Sequence, residues 1–473
     1  MLHKNNVENF QWQTICIDDC VPKNHILRDI KRALDFSFIY DEVRDLYCET
    51  HGRPSVDPVV LVKIVFIQYL FGIRSMRQTI KDIEVNLAYR WFLGFDFRDK
   101  IPHFGTFSKN YARRFADSDI FEKIFFRILQ EAVDCNFVDT SAVFMDGTHI
   151  KAAANKHKST KEEVVESAKN YQTELEKEIK LDREKHGKKP LKPDDKPPKT
   201  KNTKKSTTDP DCGLFHKGEH KVDFAYTTST VCDKNGFVVD FELAPGNTHD
   251  SVVFDKLYAR VHSKFSEIKA IGLDAGYKTP WIMKQIFDSG VLPSVPYKRS
   301  HTKRGFFYKR DYVYDEYYDC VLCPKNHILK YSATDRNGYK QYKSDQKVCK
   351  KCPHKAKCTE SKNCQKLVVR HVWEDYIERA DDIRLSPFGK EIYALRSQTI
   401  ERIFGDAKER HNMRYTHFRG KQRVKLQVLL TFAAMNLKKL AKWKRKNGLL
   451  PPFLHDFLLL FTNRIKKGQL ACA

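Results

Sequence analysis

Long hydrophobic runs are missing from this chain. A membrane-spanning helix needs roughly 18 apolar residues in succession. The best candidate, Val59 to Phe71, is interrupted by Lys63 and Gln68. A helical membrane protein is therefore not expected. A secretory signal is also missing from Met1-Leu2-His3-Lys4-Asn5-Asn6, which runs into polar sequence. Acidic residues are in deficit: 60 Asp+Glu stand against 85 Lys+Arg, a formal net charge of +25. Such an excess favours nucleic acid as partner, because binding phosphates releases their condensed counterions. An anionic membrane surface, or no charged partner at all, are the weaker alternatives. Cysteine is plentiful but odd in number, at 13. Without a secretory signal this argues for a reducing cytosol and metal binding rather than a disulfide framework. At 473 residues the chain is expected to form about two to four domains.

Residues 24–135 read as helical. Ile26, Ile30, Leu34 and Phe38 recur at every fourth position. Asp57-Pro58 supplies an N-cap and first-turn proline for a helix over 59–71. Ser75-Met76-Arg77-Gln78 fits a capping box, and Thr106 is a further candidate cap. Short helices carrying Arg74, Arg77, Lys81, Arg90, Arg113 and Arg114 suit a helix-turn-helix-like DNA-binding module, with a solvated basic face as the plainer alternative. Cys16, Cys20, Cys48 and Cys135 read as ordinary buried cysteines.

A strand is predicted over 141–150, with Asp146 near its end. The stretch from Lys156 to Thr208 then has almost no apolar content beyond Val164, Ala168, Tyr171 and Leu175, a weak helical stripe. Its Arg183–Thr208 half holds ten Lys/Arg, three acids and four prolines, the composition of a linker. Order is expected again from Gly218: a strand over 221–233, a turn at Asn235-Gly236 and a partner strand over 237–243. After Pro245-Gly246-Asn247-Thr248-His249-Asp250 come a helix to about His262, in which His249 and Asp250 serve as caps, a strand ending at Asp274, a helix over 280–288 and a strand over 291–295.

Asp146 and Asp274 are thus strand-borne carboxylates. Glu401 lies on a predicted helix, and Lys408, seven residues on, returns to within about 20° of it. Two aspartates and a glutamate make a hard-metal site, suited to two Mg²⁺ (or Mn²⁺) ions about 3.5–4 Å apart and to displacement at phosphorus. Taken singly, each carboxylate could equally be a turn residue or a surface charge.

Four strings carry a resemblance: Phe144-Met145-Asp146-Gly147-Thr148, Ala244-Pro245-Gly246-Asn247-Thr248-His249-Asp250, Leu273-Asp274-Ala275-Gly276-Tyr277 and Ile400-Glu401-Arg402-Ile403-Phe404-Gly405-Asp406-Ala407-Lys408. In order and spacing the chain resembles bacterial insertion-sequence transposases of the DDE class. The resemblance implies a multidomain α+β chain. A helical DNA-binding domain (1–135) would precede a ribonuclease H-like mixed β-sheet domain. The first part of that domain would span 136–300 with a basic linker at 156–212; the catalytic helix and a helical C-terminal part would occupy 386–473. It also implies Asp146, Asp274 and Glu401 as the metal triad, and a Tyr393, Arg396, Glu401, Lys408 signature. One more residue than usual separates Arg396 from Glu401. On a continuous helix they would lie about 140° apart, so either the helix begins after Arg396 or Arg396 is not a DNA contact. DNA contacts are expected from Arg74, Arg77, Arg396, Arg402 and Lys408. The implied partner is double-stranded DNA, both element ends and target, held by a homodimer or larger assembly in a bacterial, nucleoid-associated, cytoplasmic setting. A metal-dependent nuclease without strand transfer and a non-catalytic DNA-binding protein are the competing readings.

The interruption at 301–385 is Cys-rich. Cys320-x₂-Cys323 and Cys349-x₂-Cys352 can close a tetrahedral thiolate site for structural Zn²⁺, with Cys358 able to replace one ligand.

Overall fold

The computed structural model describes residues 15–48, 55–165, 171–192, 200–217, 221–298 and 302–451. Among the described residues seven α-helices come first: α1 (Ile26–Ala33), α2 (Phe38–Val43), α3 (Pro58–Leu70), α4 (Met76–Val85), α5 (Leu87–Leu93), α6 (Gly105–Asn110) and α7 (Ile120–Asp134). Asp57 caps α3 by accepting N–H groups of Val59 and Val60, and the helix is buried on nearly every side. The four-residue stripe spans two helices rather than one, because Leu34 is extended and ends α1. Ser75 caps α4 through the Gln78 N–H, but the Gln78 amide turns to Asp82 instead of closing the box. Thr106 caps nothing, since α6 starts at Gly105 without a side-chain cap. Arg90 is buried and donates to the carbonyls of Asp96 and Asp99, so it ties a loop and is not a groove reader.

The chain then enters β1 (Ala142–Lys151) and continues through β2 (Ser159–Val165), α8 (Gln172–Lys185), β3 (Thr200–Ser206), β4 (Gly213–Lys217), β5 (Lys221–Asp233), β6 (Val238–Pro245), α9 (Asp250–Lys264), β7 (Ala270–Leu273), α10 (Pro280–Asp288) and β8 (Leu292–Ser294). The main sheet runs β4-β5-β1-β7-β8, with β6 also paired to β5. Pairs within β4, β5, β6 and β1 are antiparallel; β1, β7 and β8 are parallel. Asn235-Gly236 makes the β5–β6 turn, with Gly236 at φ 76°. Asp146 lies in mid-strand, because β1 runs on to Lys151, where Arg414 and Thr416 add hydrogen bonds to it.

The segment predicted as linker is structured where it is described. β2 and β3 pair, and α8 buries Leu175 and Ile179 against Trp373. The weak stripe reached this helix at Tyr171 and Leu175, but the residue that covers its apolar face, Trp373, lies far away in sequence. Val164 is described only as backbone, and Ala168 and Gly218 lie outside the described residues.

A second, fully antiparallel sheet follows: β9 (Val313–Asp315), β10 (Cys320–Leu322), β11 (Ile328–Thr334), β12 (Tyr339–Ser344) and β13 (Leu367–His371), in the order β13-β12-β11-β10-β9. Two short helices, α11 (Gln346–Lys350) and α12 (Lys355–Cys358), interrupt it. The chain closes with α13 (Glu374–Leu385), α14 (Pro387–Gln398), α15 (Ile400–Glu409) and the long α16 (Lys421–Lys446). Buried residues of α1 to α5, α7, the main sheet and α16 form one continuous core, against which Phe107 of α6 packs half-buried. Asn436 on α16 pairs its amide with both backbone groups of Val238, closing an exposed edge of β6. Cys16 and Cys48 are exposed, and Cys20 and Cys135 are partly so, which corrects their expected burial. No helix among the described residues is long and apolar enough to cross a membrane.

Candidate active site

The parallel register pairs Met145 with Leu273, so the next residues stand side by side: Asp274 just past the end of β7, and Asp146 in the middle of β1. β1 alternates its side chains, which puts Phe144, Asp146 and Thr148 on one face. Gly272 continues that face on β7. A Cβ there would come within 2.6 Å of the Phe144 ring, so glycine is needed to clear that ring; the Arg396 side chain, at 3.4 Å, would only be touched.

α14 packs on β7 and β8, and α15 on β1 and β5. Between them Thr399, at φ −110° and ψ −95°, breaks the helix. The first alternative drawn from the extra residue therefore holds: Glu401 lies in a new helix that begins at Ile400. The break turns Arg396 down onto the sheet. It is 4 % exposed, and its Nη2 donates to Asp146 Oδ2 at 2.7 Å. Its Nη1 lies 3.8 Å from Asp274 Oδ1. The Tyr393 ring lies 5.4 Å from the same guanidinium, and its hydroxyl accepts from Nη1 at 3.4 Å. One cation thus spans two carboxylates and is held by a tyrosine of its own helix. Asp146 Oδ1 also accepts the Gly147 N–H at 2.7 Å.

Lys408 is on the same helix as Glu401 and donates to the Thr148 hydroxyl, two residues beyond Asp146. Glu401 is exposed in the first turn of α15. Arg402 beside it is exposed, as are Arg74 and Arg77; Arg77 lies over the Phe104 ring. The Pro245–Asp250 string makes the loop from β6 to α9. Its Gly246 packs against the backbone of Ala225, its Asn247 against Gly213, and His249 caps α9.

Asp146 and Asp274 are brought together; Glu401 is not drawn into a three-carboxylate cluster. Among the described residues, no group of three His, Cys, Asp or Glu is arranged to hold a metal ion. The chemistry of the pair nevertheless fits a hard divalent cation. Both carboxylates reach solvent, at 19 % and 53 % side-chain exposure, and carboxylate oxygens are the ligands that such a cation prefers.

Of the six cysteines between 320 and 364, only Cys320 lies on a strand. Cys323 and Cys358 pack around Tyr312, whose hydroxyl lies 3.2 Å from Cys358 Sγ. Cys320 is on the opposite face of β10 from Val321, and Cys349 bonds Ser344. The simplest set, Cys320, Cys323, Cys349 and Cys352, is not assembled as a metal site among the described residues. What sequence reasoning missed were the partners: Tyr393 and the aspartates for Arg396, and Thr148 for Lys408. Only the small Gly272 before Asp274 signalled that something large must lie above.

Residues 15–113 match the family described as Transposase domain (DUF772), and residues 322–441 match that described as Transposase DDE domain. The chain is a DDE-class transposase. The second match contains Arg396, Glu401 and Lys408, the first Arg74 and Arg77, whereas Asp146 and Asp274 lie outside both. No curated protein and no solved structure matches the transposase. The geometry around Arg396 therefore carries the argument for its two aspartates.

Proposed function

We propose that this transposase binds the ends of its mobile element and cleaves and joins DNA strands at Asp146, Asp274 and Glu401, with two Mg²⁺ (or Mn²⁺) ions. The observation that carries the reading is the Asp146–Asp274 pair bridged by Arg396. The strand order β6-β5-β1-β7-β8, antiparallel and then parallel, supports a ribonuclease H-like arrangement. Metal bound by these carboxylates would activate the attacking oxygen and steady the leaving one. Arg396 offsets part of the carboxylate repulsion and fixes the direction of Asp146. Lys408, anchored on Thr148, offers a point charge to a phosphate beside the scissile bond. Water attacks an end phosphodiester first, and the freed 3′ hydroxyl then attacks target DNA. Each step exchanges one P–O bond for another, so no external oxidant or carrier is required. Two ends must be held at once, hence at least a dimer in the active complex. Arg74, Arg77 and Arg402, all exposed, are proposed DNA contacts of the nucleoid-associated protein. Zinc is the proposed structural ion of the Cys-rich sheet. Cys323, whose sulfur accepts the N–H groups of Lys325 and His327, and Cys358 are the pair to test first.

The test is cleavage of labelled duplex carrying the flanks of the gene, in Mg²⁺ against EDTA, with wild type beside Asp274→Ala. Cutting at a defined flank position that needs both metal and Asp274, followed by joined products, is expected. Flank binding with no cutting in any divalent metal would defeat the proposal, and cutting without joined products would reduce it to a nuclease.

A further inference from the structure

A cavity of about 520 Å³ lies between α3, α4 and α6 on one side and the beginning of α16 on the other, a volume within the usual range for small-ligand sites. Its wall is largely apolar and aromatic. Phe107 and Tyr111, rings 6.2 Å apart and 27° from parallel, make one aromatic flank, and Phe418 lines the site as well. Arg74 and Arg423 line it, yet no lining residue is acidic. Among the described residues neither arginine is in an ion pair. The occupant that complements such a lining is flat, aromatic and anionic.

A second observation is independent of the first. Gln427 is 6 % exposed and lines the cavity. Its Nε2 donates to the Tyr415 carbonyl at 3.2 Å, but its Oε1 has no partner. A buried acceptor left unmatched is costly unless a bound molecule supplies the donor. All four DNA bases carry at least one N–H that could do so.

The position links the cavity to the catalytic face. The segment that walls it follows α15 directly: Met413 N–H bonds Ala407, and Thr416 N–H bonds Lys151 at the end of β1.

We propose that this cavity is a nucleobase site. A purine or pyrimidine stacks on the Phe107–Tyr111 flank and gives an N–H to Gln427 Oε1, while its phosphate meets Arg74 and Arg423. The base comes either from unpaired DNA or from a free deoxynucleotide. Only the DNA source rests on the proposed function.

The test uses the full chain and the four deoxynucleoside monophosphates, followed by ligand-observed NMR. Saturable binding is expected, weakened about tenfold by Gln427→Leu. Gln427 also holds Tyr415, so exposed Arg423 supplies a variant outside the core. Arg423→Gln should weaken the monophosphates but leave the corresponding nucleosides unchanged. Asp274→Asn should bind nucleotide as wild type does, whether or not the protein cuts DNA, which separates failure here from failure of the proposed function. No saturable binding of any of the four, or equal affinities in wild type and both cavity variants, overturns the proposal. A short single strand that displaces the nucleotide, when its abasic counterpart does not, supports a DNA base as occupant. A bound nucleotide that neither strand displaces supports a free nucleotide.

Discussion

Removing the charge of Arg396 leaves Asp146 and Asp274 adjacent without the guanidinium that spans them. The arginine side chain is 5 % exposed and Asp274 is 53 % exposed, so the cost is below that of a fully buried pair, about 1–3 kcal/mol. Arg396→Gln should therefore unfold at lower temperature than wild type in EDTA. A divalent cation can take over the charge compensation, so Mg²⁺ should raise the midpoint of the variant more than that of wild type. Equal midpoints in EDTA, or equal stabilisation by Mg²⁺, would show that Arg396 does not balance these carboxylates. The spacing of Arg396 and Glu401 pointed to both residues but not to what they touch. The aspartate contact depends on the Thr399 break and on the β1–β7 register, and neither is encoded locally.

At the scale of elements, the β5–β6 hairpin was legible because its signals are local: alternating strands around Asn235-Gly236. Its most unusual group was not. Asp233, at the end of β5, is buried and accepts N–H groups of Asp139 and Phe237. Burial dominates those hydrogen bonds and pushes its carboxyl up from 3.8 to about 6. The folded state then holds the proton more tightly than the unfolded one. The stabilisation is complete below about pH 4 and is lost as pH rises through about 6, by about 3 kcal/mol in all. The urea midpoint of wild type relative to Asp233→Asn should therefore fall between pH 4 and 7. A pH-independent difference would mean that Asp233 titrates normally. α8 shows the opposite kind of illegibility. Its Asp182 meets Lys340 at 2.8 Å, and its His186 meets Asp319 at 2.6 Å. The charged sequence that suggested a tether is thus the face that docks on the Cys-rich sheet, and composition alone cannot tell a solvated charge from a paired one.

Over the whole molecule, α16 decides how the parts cohere. Sequence division at about residue 135 suggested a separable DNA-binding unit, yet α16 packs on α1, α3 and α7 as well as on β6. Phe432 illustrates the link: it is fully buried, with its ring 5.5 Å from that of Phe241 on β6. Lys444, farther along, meets the carbonyl of Ala33 and the carboxylate of Glu131. A helix with apolar residues on so many sides fits one buried between two layers. Phe432→Ala should cost about 3–5 kcal/mol. If the core is a single cooperative unit, the loss must appear on both sides of α16. Hydrogen exchange should then speed up in α7 and in β6 together, while β11 and β12, which belong to a separate small core around Leu329 and Tyr342, keep their wild-type protection. Faster exchange confined to β6 would instead mean that the first seven helices fold as a unit of their own, docked on α16 but not dependent on it.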